Sequence, residues 1–148
     1  MLPFKYSLLA LSCLLIGASV NAAATPPLFL GVKTDKQVYK PQEPIAMALT
    51  VLNPSGPPRR VQLASSQQFD FLLCQEEQVI WRWSEDKLFA QALTSLTLEP
   101  DRPVTFLVKF DQKLASGDYL QPGRYQVVGV LASKEKPSSQ PVDIEILK

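Results

Sequence analysis

Hydrophobic and polar residues alternate with a period of two along most of this chain, which sorts side chains onto the two faces of extended strands. Ile45, Met47, Leu49 and Val51 alternate with Ala46, Ala48 and Thr50. Val104, Phe106, Val108 and Phe110 alternate with Thr105, Leu107 and Lys109. Tyr125, Val127, Gly129 and Leu131 repeat the pattern, and Val142, Ile144 and Ile146 close the chain with it. Shorter strands are expected over 28–34, 61–63 and 94–98, with a proline-stiffened extended approach over 38–44. The run Asn53-Pro54-Ser55-Gly56-Pro57-Pro58 breaks the chain between strands, and 111–123 and 133–141 read as loops. No helical period runs to a useful length. Short strands separated by turn signals predict a single all-β sandwich over 28–148.

The densest aromatic stretch lies at 69–93. Phe69, Phe71 and Leu73 alternate with Asp70, Leu72 and Cys74, then Gln75-Glu76-Glu77-Gln78 supplies a polar break of hairpin length. Val79, Trp81 and Trp83 alternate with Ile80, Arg82 and Ser84, which predicts a second strand carrying both tryptophans on one face. A polar turn, Ser84-Glu85-Asp86-Lys87, follows, and Leu88, Phe89 and Leu93 are expected to return the chain to apolar surroundings. Aromatic side chains of this size dominate core and interface energetics, so the domain is expected to be built on this hairpin.

Phe69-Asp70-Phe71, Trp81-Arg82-Trp83-Ser84 and Phe89-Ala90-Gln91 resemble the signature of the BsuPI-type intracellular proteinase inhibitor domain. Phe110-Asp111-Gln112-Lys113 and Leu120-Gln121-Pro122-Gly123-Arg124-Tyr125 resemble its closing motif. The resemblance spans roughly Val32 to Leu131. It implies an immunoglobulin-like antiparallel β-sandwich that inhibits a subtilisin-like serine protease. The run from Asp35 to Ile45, D-K-x-x-Y-x-P-x-E-P-I, also resembles the opening of many immunoglobulin-like modules.

Composition narrows the chemistry. Fifteen Lys+Arg stand against 14 Asp+Glu, a balance that offers no field for nucleic acid or an anionic membrane. No histidine occurs, which removes His-dependent triads and most zinc sites. No glycine-rich nucleophile turn or clustered carboxylate motif is present, so neither an enzyme nor a cofactor or metal is expected. Asp111 and Asp118 bracket a loop, but without the regular oxygen-ligand spacing of a calcium loop.

Lys5 and the apolar run over 6–18 read as a secretory signal, cleaved near Ala22, ahead of a flexible leader at 23–27. The apolar run is too short to span a membrane. Cys13 lies inside it without the usual lipoprotein context, so lipid anchoring is not expected. Signal removal leaves Cys74 unpaired, either as a buried strand residue or as a reactive thiol. A secreted or periplasmic location follows from this reading, at odds with the intracellular description of the family it resembles.

Partner contact is expected from one of two places. The loop over 54–60 is stiffened by three prolines and carries Arg59 and Arg60, which suit a pocket for basic side chains. The turn after the tryptophans carries Leu88 and Phe89, which suit the apolar pockets of subtilisin-like proteases. Trp81 and Trp83 are read as core packing, with a partner-anchoring platform as the second reading. Ser84 and Gln91 are expected to hydrogen-bond local backbone, and Tyr125 after Pro122-Gly123 to form a tyrosine corner. Two functions remain: a serine-protease inhibitor, or a non-inhibitory immunoglobulin-like module of the cell envelope.

Overall fold

The computed structural model describes residues 25–148. The targeting segment expected at 1–22, Cys13 within it and the first residues of the leader lie outside them. Ten strands form: β1 (Phe29–Thr34), β2 (Val38–Tyr39), β3 (Ile45–Leu52), β4 (Arg59–Leu63), β5 (Phe69–Gln75), β6 (Gln78–Arg82), β7 (Thr94–Leu98), β8 (Val104–Phe110), β9 (Gly123–Leu131) and β10 (Val142–Ile146). They make a three-stranded sheet in the order β1-β3-β8, a five-stranded sheet in the order β2-β10-β9-β5-β6, and a β4-β7 ribbon. This is an all-β, immunoglobulin-like sandwich. Its strand pairs are antiparallel except one, since β2 joins the edge of β10 in parallel, with Val38 opposite Glu145.

Alternation sets the faces as the sequence predicts. In β3 buried and partly exposed positions alternate along the whole strand, so Ile45, Met47, Leu49 and Val51 point into the core. Val127 and Leu131 of β9 and Ile144 and Ile146 of β10 meet them from the other sheet. Gly129 lies between them because a Cβ there would stand 2.6 Å from Leu49 Cδ1. A side chain there would have to displace the buried Leu49 side chain.

Three polar devices tie the connections to this core. The Tyr125 hydroxyl donates to the Gln121 carbonyl at 2.5 Å, a tyrosine corner at the start of β9. The Tyr39 hydroxyl donates to Asp35 Oδ1 at 2.6 Å and closes the β1–β2 turn. Gln112, fully buried, accepts from the Gln42 amide at 3.1 Å and donates to the Lys40 and Glu43 carbonyls at 2.9 and 2.8 Å. One side chain thereby satisfies the backbone of the proline-stiffened 40–43 turn, which has no sheet partner there.

The hairpin at 69–82 departs from expectation at its end. Glu76 and Glu77 make a two-residue turn with φ of 50° and 66°, the left-handed pair that matches strand twist. The second strand stops at Arg82. Trp83–Asp86 instead form a 3-10 turn, so the two tryptophans do not continue one strand face. Val79, expected to share that face, is exposed on the edge strand. A register shift between Leu73 and Cys74 accompanies the change.

Candidate functional site

The aromatic residues of the hairpin close one side of the sandwich. Trp81 on β6 stacks on Phe110 of β8 at 4.0 Å between ring centroids, and Phe69 on β5 stacks on Phe106 of β8 at 4.5 Å. Each pair joins the two sheets. Trp81 is only 8% exposed and belongs to the core, which corrects its candidacy as a partner contact. Trp83, half-buried, continues the second stack outward: its ring lies on Phe69 at 4.4 Å, and Phe89 tilts against its side at 6.0 Å. Phe106, Phe69, Trp83 and Phe89 therefore make a rigid ladder from the core to the surface.

A buried carboxylate holds the base of this ladder. Asp70, 6% exposed in an apolar strand, accepts from the Phe71 amide at 2.9 Å and from the Ser84 amide at 3.1 Å through Oδ1. Its Oδ2 accepts from Ser84 Oγ at 2.5 Å and faces Arg82 Nη1 at 3.8 Å. Such charge-assisted bonds let a carboxylate stay in an apolar wall. Ser84, expected to bond local backbone, instead pins the 3-10 turn to β5 across 14 residues of sequence. The F-D-F and W-R-W-S residues thus make one mechanical unit. Sequence reading gave Asp70 no role beyond alternating with Phe69 and Phe71; its signal was a carboxylate set between two phenylalanines.

Past this base the chain becomes a presented segment. Lys87 has extended backbone, with φ −115° and ψ 148°, and its amide donates to the Ser84 carbonyl at 3.2 Å. Its Nζ donates to the Trp83 carbonyl at 3.0 Å and stands 4.7 Å from the Trp83 ring centroid, a cation–π contact. Leu88 comes next and is fully exposed, at 101%. Phe89 turns back onto Trp83, and Ala90 is clamped to Ser66 by two bonds: its amide donates to Ser66 Oγ and its carbonyl accepts from the Ser66 amide, both at 2.9 Å. Gln91 Nε2 donates to the Phe89 carbonyl at 3.4 Å, the local bond expected of it. Thr94 Oγ1 donates to the Ser65 carbonyl at 2.6 Å and fixes the far end. Leu88 and Leu93 do not return to apolar surroundings: Leu93 is 79% exposed, because the anchors hold Phe89 and Ala90 and leave the leucines outside.

The other expected contact site is not built as a free loop at its arginines. Arg59 and Arg60 are not in a free loop but in β4, paired with Leu98 and Thr97 of β7. The Arg59 guanidinium donates to the Pro26 carbonyl, and Arg60 Nε donates to Ser95 Oγ at 3.1 Å. Ribbon pairing sets both arginines on a strand, Arg59 partly buried and Arg60 exposed, so neither is the free tip of a loop. Asp111 and Asp118 serve local turns, Oδ1 of Asp111 accepting the Lys113 amide and Oδ2 of Asp118 accepting Ser116 Oγ. No cluster of three metal-ligating side chains occurs among the described residues. Cys74 is half-buried, and burial pushes its thiol pKa up, which lowers its reactivity at neutral pH.

Residues 32–136 match the model of a family described as BsuPI, intracellular proteinase inhibitor. The chain belongs to the BsuPI family. That membership carries a proteinase-inhibitor-like function. It also corrects the secreted or periplasmic location expected from the first 22 residues, because an intracellular family points to the cytoplasm. No curated protein matches the chain. Among solved structures, it is similar to the sporulation control protein Spo0M of Bacillus subtilis, with TM-score 0.51 and 14% identity, covering 83% of this chain and 50% of that one. It is similar also to the alkylpurine DNA glycosylase AlkC of Pseudomonas fluorescens bound to DNA, with TM-score 0.52 and 10% identity, covering 82% and 30%. A β-glucosidase of Erythrobacter marinus gives TM-score 0.50 and 11% identity, covering 82% and 15%. The BsuPI chain spans half or less of each of these, and at such identity the likeness is one of fold alone. Among its described residues no helix is long and apolar enough to cross a membrane.

Proposed function

We propose that this chain blocks a subtilisin-like serine protease by presenting the segment Lys87-Leu88-Phe89 to the enzyme's substrate cleft. One observation carries the reading: Leu88 is fully exposed on non-repetitive chain that is anchored immediately before and after it. A protease inhibitor of this kind needs a loop already ordered, so that little entropy is lost on binding. It also needs one projecting side chain for the specificity pocket. Disulfides commonly order such loops in small inhibitors; here the Asp70–Ser84 pin, the aromatic ladder and the Ser66 clamp serve instead. An apolar leucine fits the apolar pockets of subtilisin-like enzymes better than the basic-selective pocket of trypsin-like ones. Inhibitor-family membership favours a binder over a catalyst.

The test is a titration of subtilisin with the folded chain, following residual activity. Loss of activity at a stoichiometry near one to one supports the proposal. Full activity at excess chain over a panel of subtilisin-like enzymes sinks it.

A further inference from the structure

Leu88 alone would make a good substrate as readily as an inhibitor. The distinction lies on the leaving-group side. In attack by a serine protease the serine oxygen bonds to the Leu88 carbonyl carbon, and the Leu88–Phe89 C–N bond breaks. The serine proton ends on the Phe89 nitrogen, and water must then displace the serine before the chain is cut for good. In an ordinary substrate the new amine diffuses away. Here Phe89 leans on Trp83, whose ring is itself held by Phe69, and Ala90 is bound to Ser66 through both its amide and its carbonyl. The turn carrying Ser66 is fixed in turn: the Gln67 amide donates to Ser65 Oγ at 3.1 Å and Gln67 Nε2 to the Phe69 carbonyl at 3.0 Å.

We propose that Ser66 is a positioning residue that keeps the Phe89 amine beside the acyl-enzyme, so that the Leu88–Phe89 bond re-forms faster than water enters. The inference rests on the Leu88 reading above. Re-formation is the reverse step: the amine attacks the ester carbonyl, the serine oxygen leaves, and the proton returns to it. The held amine acts at the high effective concentration of an intramolecular nucleophile, while it also occupies the place water needs. Ser66 is exposed, and only its Oγ bond depends on the side chain, so Ser66→Ala loosens the clamp without touching the core.

The experiment incubates subtilisin with the full chain and with its Ser66→Ala and Ser66→Thr variants, following enzyme activity and chain mass together. Unfolding by urea is measured alongside. Loss of one neutral hydrogen bond should make cleavage between Leu88 and Phe89 roughly five- to tenfold faster in Ser66→Ala. Initial inhibition and folding stability should each fall by no more than that one bond, because the Ser66 amide still donates to the Ala90 carbonyl, and Ser66→Thr, which keeps the hydroxyl, should restore slow cleavage. Equal cleavage rates in native chain and Ser66→Ala, with inhibition intact, overturn the clamp and leave the inhibitor reading standing. Native chain that inhibits nothing and is promptly cut after Leu88 overturns both. Native chain that neither inhibits nor is cut overturns the inhibitor reading and the clamp with it.

Discussion

Asp70→Ala is the perturbation that most directly probes how the presented segment is held. The carboxylate accepts three short bonds, of which two, from the Ser84 amide and hydroxyl, cross from β5 to the 3-10 turn. Hydrogen bonds to a charged group contribute about 1.5–3 kcal/mol each. Ser84 is half-buried, so its released groups regain part of that from water, and a total loss of about 3 kcal/mol is expected. Arg82 adds little, being 3.8 Å away with an exposed side chain. Asp70→Asn keeps an oxygen for the Phe71 and Ser84 amides and a donor facing the Ser84 hydroxyl, so about 1 kcal/mol is expected. Urea unfolding followed by tryptophan fluorescence gives the totals, and hydrogen exchange at 84–87 gives the local share. A double-mutant cycle with Ser84→Ala should return a coupling of about 1–2 kcal/mol. An Asp70→Ala cost below about 1 kcal/mol, or no coupling to Ser84, would refute the pin and with it the ordered base of the loop.

Two further outcomes follow from buried polar groups elsewhere. Gln112→Ala strips three bonds from the 40–43 turn and takes the partners of the Gln42 amide and the Glu43 carbonyl, while the Lys40 carbonyl keeps the Glu43 amide, so a loss of about 3 kcal/mol is expected in urea unfolding. Burial, helped by the bond to Asp35, pushes the Tyr39 hydroxyl from 10.0 up to about 12. A phenol whose folded value is raised stabilises the fold fully below pH 10 and loses that contribution as pH climbs towards 12. The loss amounts to about 2–3 kcal/mol. Tyr125 and Lys36 are also raised, by burial and by the bond to Glu43 respectively, so the measurement compares native chain with Tyr39→Phe. Tyr39→Phe should be flatter over pH 10–12, and an identical decline in both contradicts the assignment.

Period-two patterning made the core legible. The alternating residues of β3, β8, β9 and β10 occupy the faces expected of them, since a one-residue slip would expose a whole hydrophobic set. Tyr125 was legible too, because its place after Pro122-Gly123 leaves its hydroxyl one nearby acceptor. What periodicity could not show was where polar side chains turn inward. Asp70 and Gln112 look like solvent-facing residues in a binary pattern, yet each meets backbone or side-chain donors from distant sequence. Trp83 was misplaced for a related reason. Its apolar character continued the strand pattern, while the Asp70–Ser84 bonds wound the chain into a 3-10 turn at that point. Arg59 and Arg60 followed loop chemistry in the sequence but were claimed by pairing with β7, a long-range partner that local composition does not announce. Leu88 was expected both as a partner contact and as a return to apolar surroundings, and its full exposure overturns the second expectation.

The measurement that bears most directly on the whole account is a specificity exchange at Leu88. Inhibition constants of native chain and Leu88→Arg are measured against subtilisin and trypsin. Leu88 is fully exposed, so the substitution leaves the fold untouched, and only the side chain offered to the enzyme changes. Leu88→Arg should weaken inhibition of subtilisin by at least roughly a hundredfold and gain inhibition of trypsin, as expected when one buried anchor dominates binding. Unchanged constants against both enzymes, with subtilisin still inhibited by each chain, would contradict it and move the contact to another face of the sandwich.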